Sequence, residues 1–294
     1  MHVEKKILEQ IKKYNGKLYR VGGCVRDYFL NIKPKDIDYL VTNIELKDLQ
    51  QILSNFGKAN EVGKSFGIIT VIIDNESYDF AIPRTEFSTG DGHKDFEVKT
   101  NKNLSVIDDL SRRDCSCNAI AIDVDAGKII DPYDGVLDIK NKIIRAVRDP
   151  YDRFEEDPLR ILRAIQFAAR FNFEIEENTF KAMQSLASTI LTCPAERIHA
   201  EFDKVLSKIQ SNETLIKILK DSGIGFVLFG EKFNPMNISL QSIPYEYKAD
   251  VGFLSLFING CDLKNFNPTL HQLELLKVYS GLEHSLLTFR EKFY

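Results

Sequence analysis

The sequence predicts an α+β protein, in which a mixed β-sheet with helices comes first and an all-helical part follows. Short apolar runs bounded by glycine or polar residues recur up to residue 147, and such runs are typical of buried strands. Beyond Pro150 the apolar residues recur at helical spacing instead. No apolar stretch reaches the roughly 20 residues that a membrane-spanning helix needs, so we expect no association with a membrane.

Length and charge limit the classes of function. A chain of 294 residues is long enough for a sizeable core and for two or three compact parts. Hydrophobic residues make up 44% and charged residues 28%, which is ordinary for a globular protein. The formal net charge of −4 disfavours a protein coated in basic surface. Binding of a nucleic acid would therefore need a local basic patch.

The five cysteines are scattered and lack the paired spacing of a zinc site. Cys115 and Cys117 are two residues apart, but no second pair accompanies them. We therefore expect reduced, partly buried thiols. The first 17 residues form a charged amphipathic pattern without the apolar core of a signal peptide, and a cytoplasmic location is expected.

The most informative stretch lies near the N-terminus. Apolar runs at residues 18–21 and 37–41 predict two strands, and residues 25–30 between them have helical spacing. Asp36 and Asp38 lie at the start of the second strand, where side chains two residues apart face the same side. Burying two uncompensated charges there would be costly. Because Mg²⁺ accepts carboxylate oxygens, the pair is a candidate metal site.

Gly22 and Gly23 break the first of these strands, and Arg26 follows them. Glycines lack side chains and let backbone N–H groups approach an anion, to which Arg26 can add positive charge. Alone, a glycine pair is typical of a turn, and a lone Asp-x-Asp is typical of a solvated strand end. Joined within seventeen residues, they indicate an anion cradle beside metal-binding carboxylates, which is what a nucleoside triphosphate requires.

A third carboxylate, Asp79, lies in the next pair of predicted strands, at residues 68–73 and 78–82. A helix is predicted before them at residues 45–56. We expect the strand of Asp79 to lie beside the strand of the Asp-x-Asp pair. An Asp on a hairpin strand is also typical of a solvated position, and both interpretations stay open.

Residues 84–98 combine glycine, charged and aromatic residues without a clear period. We predict a mobile loop here. Taken alone, this composition implies no function.

Arg112, Arg113, Asp114 and Asn118 lie close together ahead of a strand predicted at residues 120–123. Adjacent arginines among aspartates can form a surface ion-pair cluster of little energetic weight. Alternatively, the arginines offer paired donors to phosphate, and Asp or Asn can bond a ribose hydroxyl. The residues themselves allow both.

A basic strand is predicted at residues 142–147, and a long helix is predicted at residues 154–171. Asp-Pro pairs provide helix-start signals before and within this helix. Asp157, Arg160 and Arg163 recur every three residues, a spacing that keeps them on one side. A salt bridge within the helix explains this pattern as well as a binding role does. Further helices are predicted at residues 195–202, 215–219, 254–258 and 270–287.

These patterns follow the order of a known family. The segments GGCVRD (22–27), DIDYLV (36–41), RRDCSCNA (112–119) and EDPLR (156–160) resemble motifs of the nucleotidyltransferases that add CCA to tRNA 3′ ends or poly(A) to RNA, in their class II form. The resemblance covers about residues 16–206. It implies a polymerase β-like nucleotidyltransferase head at residues 1–147, a helical neck at 148–207 that recognises the base, and a short helical body at 208–294 that contacts RNA.

The resemblance also implies the site residues and partners. Catalysis would depend on Asp36, Asp38 and Asp79, with Mg²⁺ held by Asp36 and Asp38. Nucleotide binding would depend on Gly22, Gly23, Arg26, Arg112, Arg113, Asp114, Asn118, Asp157, Arg160 and Arg163. The substrates would be CTP, ATP and the 3′ end and acceptor arm of tRNA. Gln166 stands where the family usually has an arginine.

Several functions within and outside the family stay open. In the family, a charged loop at the place of residues 84–98 accompanies complete CCA addition, which favours CCA over CC alone. Enzymes that add only CC or only A share the motifs, as do poly(A) polymerases, although these usually carry a basic run where this chain has GKSFG at residues 63–67. An inactive RNA-binding module is the alternative from another class, and the intact carboxylates argue against it. The sequence does not set the oligomeric state.

Overall fold

The structure, a computed structural model, describes residues 2–60, 67–74, 76–88, 96–231, 233–257 and 272. The chain divides into two compact units, Met1–Glu156 and Asp157–Tyr294. The first unit extends beyond residue 147, where the predicted head ends, because the next helix is bonded to it. Arg153 Nη1 in that helix donates to the carbonyl of Ser111 at 3.4 Å. The division into head, neck and body at residues 147 and 207 stays a prediction.

The first unit is built on a mixed sheet. Its strands are β1 (Lys17–Val21), β2 (Ile37–Thr42), β3 (Lys58–Asn60), β4 (Ile68–Ile73), β5 (Glu76–Ala81), β6 (Arg84–Ser88), β7 (Phe96–Thr100), β8 (Ala121–Asp123), β9 (Ile129–Ile130) and β10 (Ile143–Ile144). Within the described residues, seven of them form one sheet in the order β3-β4-β5-β2-β1-β8-β9. The pair β2 and β5 is parallel, and the other neighbours are antiparallel. The predicted adjacency of the Asp79 strand to the Asp-x-Asp strand is therefore confirmed.

Alternation along the strands gives the sheet two apolar faces. Leu18, Tyr39 and Val41 belong to one buried cluster, and Tyr19 and Leu40 belong to a second. The first cluster packs against helices α1 (His2–Lys12) and α3 (Leu46–Leu53). In the sequence, helix α2 (Gly23–Phe29) lies between them and directly follows β1. The second cluster packs against α4 (Val106–Ser111). By this alternation, Asp38 and Asp79 lie on the face of the second cluster.

Helix α4 is absent from the sequence prediction, although the chain carries a signal for it. Ser105 Oγ accepts the backbone N–H of Asp108, and the Asp108 carboxylate accepts the N–H of Ser105. This reciprocal capping satisfies two of the N–H groups that a helix start leaves without partners. The Ser-x-x-Asp pattern could have predicted the helix.

The segment around residue 140 also differs from its prediction. Helix α5 (Gly135–Asn141) begins where Asp131 accepts the N–H groups of Gly135 and Val136. The predicted strand at residues 142–147 is reduced to the two residues of β10. Beyond β10, Ala146 forms an isolated antiparallel bridge with Cys115, and the 3₁₀ helix at Ser116–Asn118 prevents this pairing from extending. A last helix of this unit is α6 (Pro150–Glu156).

The prediction of a loop at residues 84–98 is wrong for both ends of this segment. Strands β6 and β7 pair antiparallel there, from Arg84 with Thr100 to Ser88 with Phe96. Phenylalanine and threonine, which favour strands, lie on both arms, whereas glycine is confined to residues 89–95. When the composition is averaged over the whole segment, the glycines mask the strand-favouring residues at its two ends. Residues 89–95 lie outside the described part of the chain.

The second unit is largely helical, as predicted. Its elements are α7 (Leu159–Phe171), β11 (Glu174–Ile175), α8 (Glu177–Ser185), α9 (Ala195–Leu206), α10 (Glu213–Asp221), α11 (Ile224–Phe229) and α12 (Tyr245–Phe257). The Asp-Pro start signals are confirmed at Pro150 and before α7. The helix predicted at residues 154–171 is nevertheless interrupted at Asp157 and Pro158, since proline has no N–H to continue the α6 ladder. The helix predicted at 270–287 lies outside the described residues except for Gln272.

Four cysteines fall in the described regions, and all four are free and buried. Burial raises the pKa of Cys117 to about 12, so the thiol stays protonated. The prediction of reduced, buried thiols is confirmed for these four, which are Cys24, Cys115, Cys117 and Cys193. In the same regions, no helix has both the length and the apolar character needed to cross a bilayer.

Candidate active site

The site is organised around the end of β1. Gly22 follows the strand with φ +71°, a conformation that side-chain-bearing residues rarely adopt. A Cβ atom at this position would lie 2.6 Å from Arg113 Nη1 and 3.8 Å from Asp38 Oδ2. Gly22 therefore permits a close approach between the strand end, a guanidinium and a carboxylate.

Asp38 lies beside Gly22, and the two other predicted catalytic carboxylates act on it through their charge. Asp38 of β2 pairs in register with Asp79 of β5, and Asp36 precedes β2 as an exposed residue. Burial raises the pKa of Asp38, Arg113 opposes this shift, and the charges of Asp79 and Asp36 add to it. Asp79 Oδ1 also accepts a hydrogen bond from Thr70 Oγ1 at 2.6 Å. The predicted catalytic carboxylates are thus brought into one electrostatic environment.

This donor set fits a divalent cation of the kind that binds with a substrate. Among the described residues, no three acidic, histidine or cysteine side chains form a ready-made metal cluster. Mg²⁺ usually needs only one or two protein carboxylates, because waters and substrate phosphates complete its octahedral shell. Asp36 and Asp38 supply two carboxylates of this kind. Burial, and to a smaller extent the charges of Asp79 and Asp36, raise the pKa of Asp38, and a bound cation would oppose both effects.

The two predicted phosphate-binding arginines share one buried carboxylate. Asp109 Oδ1 accepts from Arg112 Nε and Nη2 at 2.9 and 2.5 Å, and Asp109 Oδ2 accepts from Arg113 Nη2 at 2.9 Å. The side chains of Arg112 and Arg113 are about one-fifth exposed, whereas that of Asp109 is fully buried. They are therefore not the solvated surface cluster that the sequence also allowed.

Arg26, Asn118 and Asp114 form a buried chain of hydrogen bonds. Arg26 donates through Nε and Nη2 to Asp27 Oδ1, and through Nη1 to Asn118 Oδ1. Asn118 Nδ2 donates to Asp114 Oδ1 at 2.9 Å, and the same oxygen accepts the N–H of Cys115. The charge of Arg26 slightly opposes the rise in the pKa of Asp38 that burial causes. These hydrogen bonds connect the β1–α2 turn to the segment that follows Arg113.

The remaining predicted residues lie at the start of α7 in the second unit. Asp157 precedes the helix, where its Oδ1 accepts the N–H of Leu159 at 3.1 Å and its Oδ2 lies 3.7 Å from Arg197 Nη2. Arg160 is buried on α7. Arg163, one turn later, places its guanidinium over the ring of Phe167.

Comparison with known protein families identifies both units. Residues 18–145 match the poly(A) polymerase head domain, and residues 172–230 match a domain described as the probable RNA- and SrmB-binding site of polymerase A. The chain thus carries a poly(A) polymerase head domain and the RNA-binding domain that goes with it. Enzymes of this family generally use a divalent metal. The mixed-sheet head and helical second part predicted from the sequence are thereby confirmed.

Several members of the family are similar to this chain. A CCA-adding enzyme of Ligilactobacillus salivarius is 38% identical over 260 residues, which are 88% of this chain and 63% of that enzyme. One of Bacillus licheniformis is 37% identical over 200 residues, or 68% of this chain and 49% of that enzyme. The chain thus spans between about half and two thirds of these relatives.

Solved structures show the same fold. The Bacillus stearothermophilus CCA-adding enzyme in complex with CTP superposes with a TM-score of 0.75 at 25% identity, covering 94% of this chain and 68% of that one. The Thermotoga maritima CCA-adding enzyme complexed with tRNA gives a TM-score of 0.74 at 22% identity, covering 96% and 69%.

Two buried aspartates of the poly(A) polymerase head are missing from the residues that sequence reasoning selected. Asp27 follows Arg26 directly and holds its guanidinium. Asp109 lies three and four residues before Arg112 and Arg113, a spacing that brings side chains together on a helix. That spacing was the available signal for Asp109. At the position usually occupied by arginine, Gln166 is buried and lines a small cavity with Glu201 in the second unit.

Proposed function

We propose that this chain is a template-independent tRNA nucleotidyltransferase that adds CCA to tRNA 3′ ends from CTP and ATP and releases pyrophosphate. The proposal rests on the approach of Asp38 and Arg113 to Gly22, with Asp79 paired beside Asp38 on the neighbouring strand and Asp36 two residues before it. Clustered carboxylates beside an arginine provide for both a metal and a triphosphate. The similarity to enzymes named CCA-adding enzymes supports the choice of tRNA as the acceptor.

In the proposed reaction, the 3′-hydroxyl of the RNA attacks the α-phosphate of the nucleotide and pyrophosphate leaves. Asp36 and Asp38 would hold Mg²⁺, with Asp79 contributing negative charge beside them. A bound divalent cation would lower the pKa of the attacking hydroxyl and stabilise charge on the leaving group. Arg113 faces this group of carboxylates, so it would neutralise phosphate oxygens that come close to Asp38.

The residues around Gly22 would position the nucleotide. Gly22 and Gly23 leave their backbone open to the triphosphate, and Arg26 and Arg112 add positive charge at its edges. Asp114 and Asn118 would bond the ribose. Their mutual hydrogen bond would keep both side chains in fixed orientations before the substrate arrives.

Asp157, Arg160 and Arg163 would select the base. An arginine can donate to the N3 acceptor of cytosine, but uridine presents a donor at the same place. Replacing Arg160 with alanine should therefore relax selection against UTP and GTP more than it weakens RNA binding. Losing hydrogen bonds to a base edge costs about 1–3 kcal/mol, or roughly ten- to a hundredfold in discrimination. The measurement is incorporation of each nucleotide, supplied singly, on tRNA lacking CCA.

Arg170→Ala is the matched control for Arg160→Ala, because it removes an arginine from the same helix. The Arg170 guanidinium lies over the ring of Phe171, 4.8 Å from its centroid. Nucleotide selection should be unchanged in this control, and thermal unfolding of both variants separates base choice from stability. An even loss for CTP and ATP in Arg160→Ala, with no gain for UTP or GTP, would make Arg160 a structural residue of α7.

Partial tRNA enzymes and poly(A) polymerases are the alternatives, and one experiment separates all of them. The protein is incubated with tRNAs that end before the first C, after the first C and after the second C, each with CTP alone or ATP alone. The CCA proposal predicts that C is added to the first two acceptors and A only to the third. Addition of A to every acceptor would indicate a poly(A) polymerase. Failure of one step would indicate a CC-adding or A-adding enzyme.

We propose the cytoplasm as the location and Mg²⁺ as the metal. The free, buried state of the four described cysteines fits a reducing compartment. An all-oxygen donor set at Asp36 and Asp38 suits Mg²⁺ better than a softer metal.

A further inference from the structure

Asp109 has no part in the reaction proposed above, yet its carboxylate is among the most buried in the first unit. Its side chain is 0% exposed and lies on α4, behind the two arginines. One oxygen accepts from Arg112 and the other accepts from Arg113. A buried carboxylate costs free energy unless it is paired, so this arrangement has to be accounted for.

The carboxylate stays ionised between its two partners. Burial alone would raise the pKa of Asp109, but the charges of Arg113 and Arg112 and their hydrogen bonds lower it below its ordinary value. The two guanidinium groups belong to adjacent residues and would otherwise repel each other. A single charged carboxylate with one oxygen for each arginine holds them as a pair.

Asp109 also decides where the Arg113 guanidinium points. Arg113 Nη2 is anchored on Asp109 at 2.9 Å, which leaves Nη1 directed toward Gly22. The contact of Nη1 with the carbonyl of Asn118 is long, at 3.4 Å, and Nε has no acceptor among the described residues. The bond to Asp109 is therefore the short contact that sets the direction of this side chain toward Gly22.

We infer that Asp109 is a positioning residue for the incoming nucleotide, which acts by holding Arg113 in place beside Gly22. This inference rests on the proposed function, because it assigns Arg113 to the triphosphate. Asp109 itself does not touch the substrate. Its effect on the nucleotide should pass through the arginines that it holds, and mainly through Arg113, because an asparagine at this position can still accept from Arg112.

The test is CTP binding by isothermal titration calorimetry without RNA, combined with steady-state kinetics on tRNA lacking CCA. In Asp109→Asn, the amide can accept from one arginine but turns its N–H₂ toward the other. CTP affinity should fall about ten- to a hundredfold, with KM for CTP raised and KM for tRNA unchanged. In the background of Arg113→Ala, adding Asp109→Asn should change CTP affinity by no more than about twofold.

Asp138→Asn is the matched control, since Asp138 is also buried in the first unit and bonded to an arginine, Arg145, and to Ser116. It should lose similar stability in thermal unfolding without losing CTP affinity. If Asp109→Asn fails to fold, Arg113→Lys is tested instead. In that variant the Asp109 carboxylate keeps its hydrogen bonds to Arg112, so it stays paired. Lysine retains the charge but cannot bond Asp109 and face Gly22 together, so CTP affinity should fall nearly as far as in Arg113→Ala.

Unchanged CTP affinity in folded Asp109→Asn, full additivity with Arg113→Ala, or wild-type affinity in Arg113→Lys would overturn the inference. A wild-type protein that binds neither CTP nor ATP would overturn the proposed function as well.

Discussion

Replacing Asp38 with asparagine is expected to lower the rate of nucleotide addition by about a thousandfold or more while leaving the protein folded. Asparagine keeps the shape of the side chain but removes the charge that would hold a metal. Burial and the neighbouring Asp79 and Asp36 already disfavour the charged form of Asp38, so its loss should cost little stability. The measurements are kcat for CTP incorporation and the midpoint of thermal unfolding.

Asp36→Asn should have the same effect on kcat, and its exposed position makes a change in stability still smaller. The matched control is Asp74→Asn, which removes an exposed carboxylate at the end of β4, in the same sheet. The control should retain full activity. Undiminished turnover in Asp38→Asn would remove this residue from the mechanism.

Gly22→Ala should impair activity far more than it impairs folding. A Cβ at this position would stand 2.6 Å from Arg113 Nη1, and that atom is the far end of a flexible side chain. The arginine can give way, but only by leaving its place beside Asp38. Displacing a positioning group by about 1 Å can cost on the order of a hundredfold in rate. We expect at least that loss in kcat/KM for CTP.

Gly127→Ala separates this effect from backbone strain. Gly127 has φ +65°, close to the +71° of Gly22, but a Cβ there would meet no atom within 4 Å. Both substitutions should cost about 1–2 kcal/mol through the left-handed conformation alone. Only Gly22→Ala should lose activity. Equal activity in the two variants would mean that the crowding at Gly22 has no bearing on the reaction.

The parts of the fold that were predicted correctly are those that depend on local pattern. Apolar runs locate β1, β2 and β4, and the short link between β4 and β5 makes their pairing the simplest choice. The Asp-Pro pairs mark the starts of α6 and α7 because proline fits the first turn of a helix and breaks the preceding ladder.

The parts that were missed depend on contacts between distant segments or on signals spread over few residues. Strands β6 and β7 are five residues each, and the glycines between them dominated the window. Helix α4 has six residues, too few to show a period, and only its capping box identifies it.

The residues of the candidate site also divide into those that local pattern predicts and those that only tertiary packing reveals. The motif residues Asp38, Asp79 and Arg113 could be selected from the sequence, and the structure brings them together. Their supporting aspartates were missed, since an aspartate in a charged segment is usually solvated and the helical spacing of Asp109 to the arginines indicates an ion pair but not its burial. Only tertiary packing places Asp109 at 0% exposure.

Metal-dependent addition of CCA to tRNA can be tested by following the α-phosphate of the nucleotide. The protein is incubated with tRNA lacking CCA, unlabelled ATP and CTP labelled at the α-phosphate, with Mg²⁺ or with an excess of chelator. For a CCA-adding enzyme, label should enter the tRNA, one pyrophosphate should be released per nucleotide, and growth should stop after CCA. Chelator and Asp38→Asn should both abolish incorporation. Nucleotide hydrolysis without labelled RNA, or equal incorporation with chelator present, would contradict the proposed function.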